Sequence, residues 1–278
     1  MWNKTIMLSI IIPTLNEEKY LPLLLKEIKK QKVDEHSFIS KPRDSGAKLR
    51  KSAKHSSVST HRSARVFNDY EIIVADAGSI DRTLEIAKEY GCRVVPGGSP
   101  ARGRNEGAKV AQGDTLLFMD ADNIFLPEKF LENLLEEFKK RKLDIASFPI
   151  YPQGNGFDKF AYGLYNNWVN LTQRFFAYAT NAVLVRKEIH QKIGGFDEEI
   201  KIAEDHDFAK RASKVGKFGF IKTKPVLTSL RRFERDGRFK TYLKYFLAGV
   251  YMFFLGPVKS DILKYRFNHS SNQKKNQL

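Results

Sequence analysis

The chain has 278 residues, 42% apolar and 29% charged. That balance suits one large α/β domain or two small ones with a real core, and excludes collagen-like, coiled-coil and disulfide-scaffold architectures. Lysine and arginine number 48 against 32 acids, net +16, and the excess is local: residues 32–68 carry net +6, 222–244 net +6 and 259–278 net +4, which points to anionic surfaces, nucleic acid or lipid, touched by particular segments.

In chain order, Met7–Ile12 reads as a strand: a short, β-branched run closed by Pro13, a buried first strand rather than a secretory leader. Helix Glu17–Gln31, strand Tyr70–Ala75, helix Asp81–Tyr90 and strand Arg93–Val95 follow. Then come helix Ala101–Ala111, strand Thr115–Met119, helix Pro127–Lys140 with proline in its first turn, and strand Asp144–Ile150. Repeated βα units with unbroken apolar strands predict an α/β fold, a Rossmann-like, mostly parallel sheet flanked by helices. The stretch 36–65 holds eight serines and eight lysines or arginines but only four large apolar residues. It cannot offset its ordering entropy by burial, so a disordered basic insertion is expected there. A disordered basic tail is expected over 259–278. The one cysteine, Cys92, rules out an intramolecular disulfide and fits a reducing compartment.

Ligands of such sheets bind beyond the carboxyl ends of the strands. There the chain reads Pro13-Thr14-Leu15-Asn16-Glu17, Asp76-Ala77-Gly78-Ser79-Ile80-Asp81 and Asp120-Ala121-Asp122-Asn123. Asp81 reads as a helix cap, and Asp76 equally as a turn residue or a ligand contact. Asp120 and Asp122 repel each other unless a cation or donors intervene, and hard oxygens on a short turn suit Mg²⁺ or Mn²⁺ holding a diphosphate. PTLNEE lacks the glycines of a dinucleotide loop and the Walker pattern is missing, so NAD and P-loop chemistry are excluded. Arg102 and Arg104 open a helix, where they meet phosphate, acidic partners or solvent. Three acids, Glu204, Asp205 and Asp207, and His206 crowd another helix start at 204–208, as caps or as a general base.

Four segments together resemble family 2 glycosyltransferases of the GT-A fold: SIIIPTLNEEKYL (9–21), EIIVADAGSIDRT (71–83), ARGRNEGAKVAQGDTLLFMDADN (101–123) and IGGFDEEIKIAEDHDFAKRA (193–212). The insertion and the tail fall outside the resemblance, and DAGSID stands where many relatives have D-G-S-x-D. The resemblance implies a nucleotide pocket lined by Pro13, Thr14 and Glu17, base recognition by Asp76, and a donor-site arginine at Arg104. It implies Asp120 near the ribose, Asp122 as the main metal ligand with Asp120 beside it, Glu204 on the acceptor side and Asp205 as catalytic base. The implied reaction is inverting, metal-dependent transfer from a nucleoside-diphosphate sugar to a lipid-linked or glycan acceptor at the cytoplasmic face of a membrane.

The basic segment around Arg231 and Arg232 precedes an aromatic helix expected over 241–258, whose longest uncharged run, Tyr245–Val258, would span only about 21 Å. Two readings stand: an amphipathic helix lying on an anionic bilayer, or a helix packed on the sheet with its arginines at the site mouth, facing a donor diphosphate or a lipid phosphate. The competing function class is a non-catalytic nucleotide- or RNA-binding basic domain. The intact acids and the absence of an RNA-binding motif speak against it.

Overall fold

The computed structural model describes residues 7–31, 70–179, 182–256 and 259. The basic insertion at 36–65 and all of the tail but Lys259 lie outside the described residues. The first half follows the predicted order with one strand added, β5: β1 (Leu8–Thr14), α1 (Leu21–Lys30), β2 (Tyr70–Asp76), α2 (Thr83–Glu89), β3 (Arg93–Pro96), α3 (Pro100–Val110), β4 (Thr115–Met119), β5 (Asn123–Phe125) and α4 (Phe130–Lys140). Then come β6 (Ile145–Ser147), β7 (Ile150–Pro152), α5 (Gly156–Thr172), β8 (Ala182–Arg186), α6 (Lys187–Lys192) and α7 (Glu204–Ser213). The described part closes with β9 (Phe218–Phe220), β10 (Val226–Thr228), α8 (Arg231–Asp236) and α9 (Arg238–Leu255).

Seven strands form one sheet in the order β3-β2-β1-β4-β8-β6-β9. Every pairing is parallel except the two made by β8. All seven residues of β1 are buried, because both faces of the sheet are covered. Alternation along the strand divides the core: Ile10 and Ile12 join α1, α2 and α4, while Ile11 joins α3 and α7 on the other face.

Four boundaries differ from the sequence reading. The helix expected over Pro127–Lys140 begins at Phe130, because Lys129 takes a left-handed φ of 55°, so Pro127 lies before its first turn and not within it. The first helix begins at Leu21, not Glu17, because Asn16 turns the chain at φ 54° and residues 16–18 bond the β2–α2 loop instead. The strand expected over 144–150 is two strands in two sheets, broken at Pro149, which has no N–H to offer a ladder. β7 joins β5 and β10 in a small second sheet, which ties the segment after Asp122 to the chain just before Arg231: Ser229 N donates to Asp122 O at 2.9 Å. The C-terminal helix starts at Arg238, three residues before its expected start.

α3 packs closely on the sheet because of its glycines. A Cβ on Gly107 would lie 2.4 Å from Ile11 Cγ2, a β-branched side chain fully buried in β1. Gly107→Ala is expected to destabilise the fold by about 1–3 kcal/mol, read as a lower urea midpoint.

His190 is buried among Phe118, Phe196 and Phe208, with Nε2 unpartnered. Burial pushes its pKa from 6.5 down to about 4, with the charges of Arg211 and Lys187 adding to the shift. The unfolded chain takes up that proton first, so this stability is present at neutral pH and lost as pH falls from 6.5 toward 4. Between pH 7 and pH 5 the loss should be about 2 kcal/mol. Denaturant titrations at both values should show this component in the wild type and not in His190→Leu.

Candidate functional site: an acidic rim crossed by two arginines

The carboxyl ends of β1, β2 and β4 lie side by side, with Thr14 opposite Asp76 in the parallel register. Asp76 is buried and organises its own loop. It accepts from Thr14 Oγ1 (3.0 Å), Gly78 N (3.0 Å), Ser79 N (2.8 Å) and Ser79 Oγ (2.5 Å). Gly78 sits at φ 88° in this turn, a conformation that costs glycine nothing. Asn16 and Glu18 exchange hydrogen bonds with Ser79, Ile80, Asp81 and Arg82, so the two loops close as one unit. Asp81 accepts from Thr83 N at 3.0 Å, but the N-cap of α2 is Arg82, so Asp81 closes the turn before the helix and is not the cap expected of it. Pro13 is buried beneath α3, where a Cβ on Gly103 would meet it at 3.1 Å.

Arg104 stands beneath the other half of the rim, 3% exposed. One guanidinium nitrogen donates to Asp120 Oδ1 at 2.7 Å and another to Glu204 Oε1 at 2.6 Å, while its plane lies 5.2 Å from the Phe196 ring. One side chain from α3 thus fastens the end of β4 to the start of α7. Asp120, Glu204 and Asp205 hold the guanidinium charged against the cost of burial. Burial pushes the Asp120 carboxyl upward and Arg104 pulls it back, while Asp122, Glu204 and Asp205 push the same way as burial. The guanidinium is therefore spent on protein carboxylates.

Arg231 forms the second crossing. It donates two hydrogen bonds to Glu17, at 2.7 and 2.8 Å, lies 4.0 Å from Asp122 and stacks 5.0 Å above Tyr20. Burial raises Glu17 to about 7; Arg231 lowers it, and the charges of Asp122 and Asp120 add to the rise. Of the sequence's two readings for the basic segment, Arg231 follows the second and faces the rim. Arg232, its neighbour on α8, is half-buried, and its charge helps to lower Asp236.

Asp122 is the acid with a spare atom. Its Oδ1 is buried and has no hydrogen-bond partner, and the nearby Ser229 Oγ is likewise unsatisfied. A buried anionic oxygen without a donor fits a hard cation. Among the described residues no group of three or more His, Cys, Asp or Glu could hold a metal, so ligands beyond the Asp120–Asp122 pair would have to come from phosphate oxygens and water. Asp205 is the second residue of α7, after Glu204 and the N-cap Ala203, which takes a left-handed φ of 59°, and its carboxylate accepts from His206 N at 2.9 Å.

Sequence reasoning missed the aromatic side of this rim. Tyr165 on α5 buries a hydroxyl with no partner, and its phenol is raised by burial first and by the Asp205 charge second. Tyr178 packs edge-on against His206 at 5.5 Å and against Trp168 at 4.7 Å. The signal was the aromatic spacing in FAYGLYNNW (160–168), legible only once α5 is recognised as a helix.

The model of the family described as "Glycosyl transferase family 2" matches residues 59–196. The chain belongs to that family. A glycosyltransferase of Bacillus subtilis, EpsJ, is 30% identical over 166 residues, 52% of this chain and 47% of the relative. The poly(ribitol-phosphate) β-N-acetylglucosaminyltransferase TarS of Staphylococcus aureus is 23% identical over 215 residues, 73% of this chain and 32% of TarS. The chain thus spans only about half or less of the length of these two relatives. In structure it is similar to the S. aureus TarS fragment solved with UDP, at TM-score 0.58 and 19% identity over 94% of this chain and 75% of that one. It is equally similar to the Pyrobaculum calidifontis mannosyltransferase PcManGT solved with GDP-Man and Mn²⁺, at TM-score 0.58 and 15% identity over 90% and 65% of the two chains. The expected GT-A fold is therefore the fold of this family member.

Removing Arg104 strands two carboxylates that are largely shielded from water. Arg104→Ala should cost about 3–5 kcal/mol in a urea titration. Arg104→Lys should restore only part of that, because one ammonium cannot reproduce the fork between Asp120 and Glu204.

Proposed function

We propose that this chain transfers a glycosyl unit from a nucleoside-diphosphate sugar to a lipid-linked or glycan acceptor, with inversion and with help from Mg²⁺ or Mn²⁺, at the cytoplasmic face of a membrane. The observation that carries this reading is the buried, unpartnered Oδ1 of Asp122 beside a cationic guanidinium, Arg231, at the carboxyl ends of the parallel strands. The likeness to chains solved with UDP and with GDP-Man and Mn²⁺ supports it. We assign the nucleoside to the side built from Pro13, Thr14, Glu17 and Asp76, and the acceptor to the side of Glu204, Asp205 and Tyr165.

Asp122 would hold the cation, which when bound supplies positive charge to a diphosphate leaving group. Asp120, steadied by Arg104, sets the position of that turn. Arg231 is placed to release part of its hold on Glu17 and meet phosphate oxygens, and Arg232 is a weaker candidate for the same contact. On the other side Asp205 accepts the acceptor's hydroxyl proton as its oxygen attacks the anomeric carbon. The bond from that carbon to the diphosphate oxygen breaks, and the nucleoside diphosphate leaves with the electron pair. One displacement inverts the anomeric centre. With a lipid phosphate as acceptor, the attacking oxygen is already ionised and Asp205 orients rather than deprotonates.

Thermal-shift measurements with UDP-, GDP-, dTDP- and CDP-sugars, each with and without Mn²⁺, test the donor side. One donor should raise the melting temperature by several degrees in a Mn²⁺-dependent manner. Asp122→Asn should abolish the metal-dependent part, and no shift with any donor would count against the reading. On the acceptor side, Asp205→Asn should lower turnover about 10²-fold or more with a hydroxyl acceptor; near-wild-type turnover would remove Asp205 from the base role.

A further inference from the structure

α5 carries an apolar stripe that nothing in the described structure covers. Phe157, Phe160, Leu164, Trp168 and Leu171 are between 42% and 69% exposed. Their spacing of three and four residues places them within an arc of roughly 80° on the helix. The opposite face holds the residues that α5 buries, Asp158, Asn166 and Val169. The stripe is therefore a designed face of an amphipathic helix and not scattered exposure.

α9 repeats the pattern. Phe239, Leu243 and Leu247 are exposed at 79%, 43% and 43%, while Thr241 and Ala248 on its other side are buried. The two helices start side by side. Buried Asp158 accepts from Arg238 Nε at 3.2 Å and from the Tyr242 hydroxyl at 3.0 Å, and the Phe157 ring meets Tyr242 edge-on at 5.7 Å.

Charge selects the occupant. Asp158 is the only acid in α5 and is fully buried, and α9 contains no acid at all. Three basic residues of these helices are exposed: Lys240 on α9 lies beside its stripe, while Arg238 on α9 and Lys159 on α5 lie roughly 100° round from the nearest stripe residue. Two apolar helix faces with exposed cations on the same helices, and no exposed acid on either helix, match an anionic bilayer, where aromatic rings sit at the headgroup level and lysines meet lipid phosphates. No described helix is long and apolar enough to cross a membrane, so the fit is to a helix lying in the interface.

We infer that α5 and α9 together form a two-helix platform that docks this protein on an anionic lipid surface, with the α5 stripe inserted among the acyl chains. This deepens the membrane part of the proposed function and rests on it. It also shifts the main contact from the C-terminal helix to α5, whose Tyr165, off the stripe, lies within reach of the Asp205 charge on the acceptor side of the rim.

The test is co-flotation of the full chain with vesicles of phosphatidylcholine alone and of phosphatidylcholine with phosphatidylglycerol. Wild type should float with the mixed vesicles and bind the neutral ones at least several-fold less. The exposed-face variant Phe160→Ser/Leu164→Ser/Leu171→Ser should lower the partition coefficient ten-fold or more with an unchanged circular-dichroism melt. A second variant, Phe239→Ser/Leu243→Ser, should lower it by a smaller factor. Asp205→Asn should float as wild type does, which separates docking from chemistry. Flotation of the triple variant equal to wild type, or equal binding to neutral and anionic vesicles, overturns the inference. So does a wild-type dimer in sedimentation that the triple variant breaks without vesicle binding, since the stripe would then cover a second copy. None of these results bears on glycosyl transfer to a water-soluble acceptor.

Discussion

The rim of this protein depends on a buried guanidinium. Three acids from two distant parts of the chain, Asp120, Glu204 and Asp205, surround the Arg104 charge. Without a cation between them they would repel one another across a poorly solvated space. Arg104 is delocalised and rigid, so it can answer two carboxylates from different elements at once, and the ring of Phe196 lies 5.2 Å away. The close approach of α3 to β1, permitted by Gly103 and Gly107, puts the guanidinium where it is needed. Packing and electrostatics are thus one constraint: a helix that stood further from the sheet would leave Asp120 and Glu204 unbridged.

The second guanidinium is held less completely, and that difference has functional meaning. Arg231 is more exposed than Arg104, its side chain retaining 25% of its accessibility against 4%. Its partner Glu17 is pushed toward neutrality by burial and by the two aspartates. A fork between a carboxylate with a raised pKa and a part-exposed arginine is easier to exchange for a phosphate than the Arg104 pairing is. One arginine therefore fastens the rim, while the other, more exposed, is the one the proposed function draws on for phosphate contact. The small sheet of β5, β7 and β10 makes this possible, because it returns the chain from β10 to the turn that carries Asp122.

Several features were legible in the residues themselves. The unbroken apolar runs of β1, β2 and β4 and the amphipathic helices between them announce a parallel sheet, since only strands covered on both faces read that way. The acids that follow those strands mark the rim, because strand ends converge in such sheets. Asp76 was ambiguous from sequence, and its four hydrogen bonds now show it serving the turn. Less was legible where local pattern and tertiary context part company. Pro149 divides a run that reads as one strand, and residues 16–18 are held out of a helix by bonds to a segment more than sixty residues away. The α5 stripe faces outward, which helical spacing alone does not reveal, because the same period marks a core-facing side.

The sequence by itself determined the class of fold, the family and the identity of the acids at the strand ends, because periodicity and residue type are local properties. Only the tertiary structure decided which charges meet. The pairing of Arg104 with Asp120 and Glu204 spans 16 and 100 residues, and that of Arg231 with Glu17 spans 214. Contacts of that separation depend on the crossing of the helices over the sheet and on the register of the second sheet, which no local window encodes. The same reason hid the partly free oxygen of Asp122: whether a buried carboxylate is satisfied depends on every element that surrounds it.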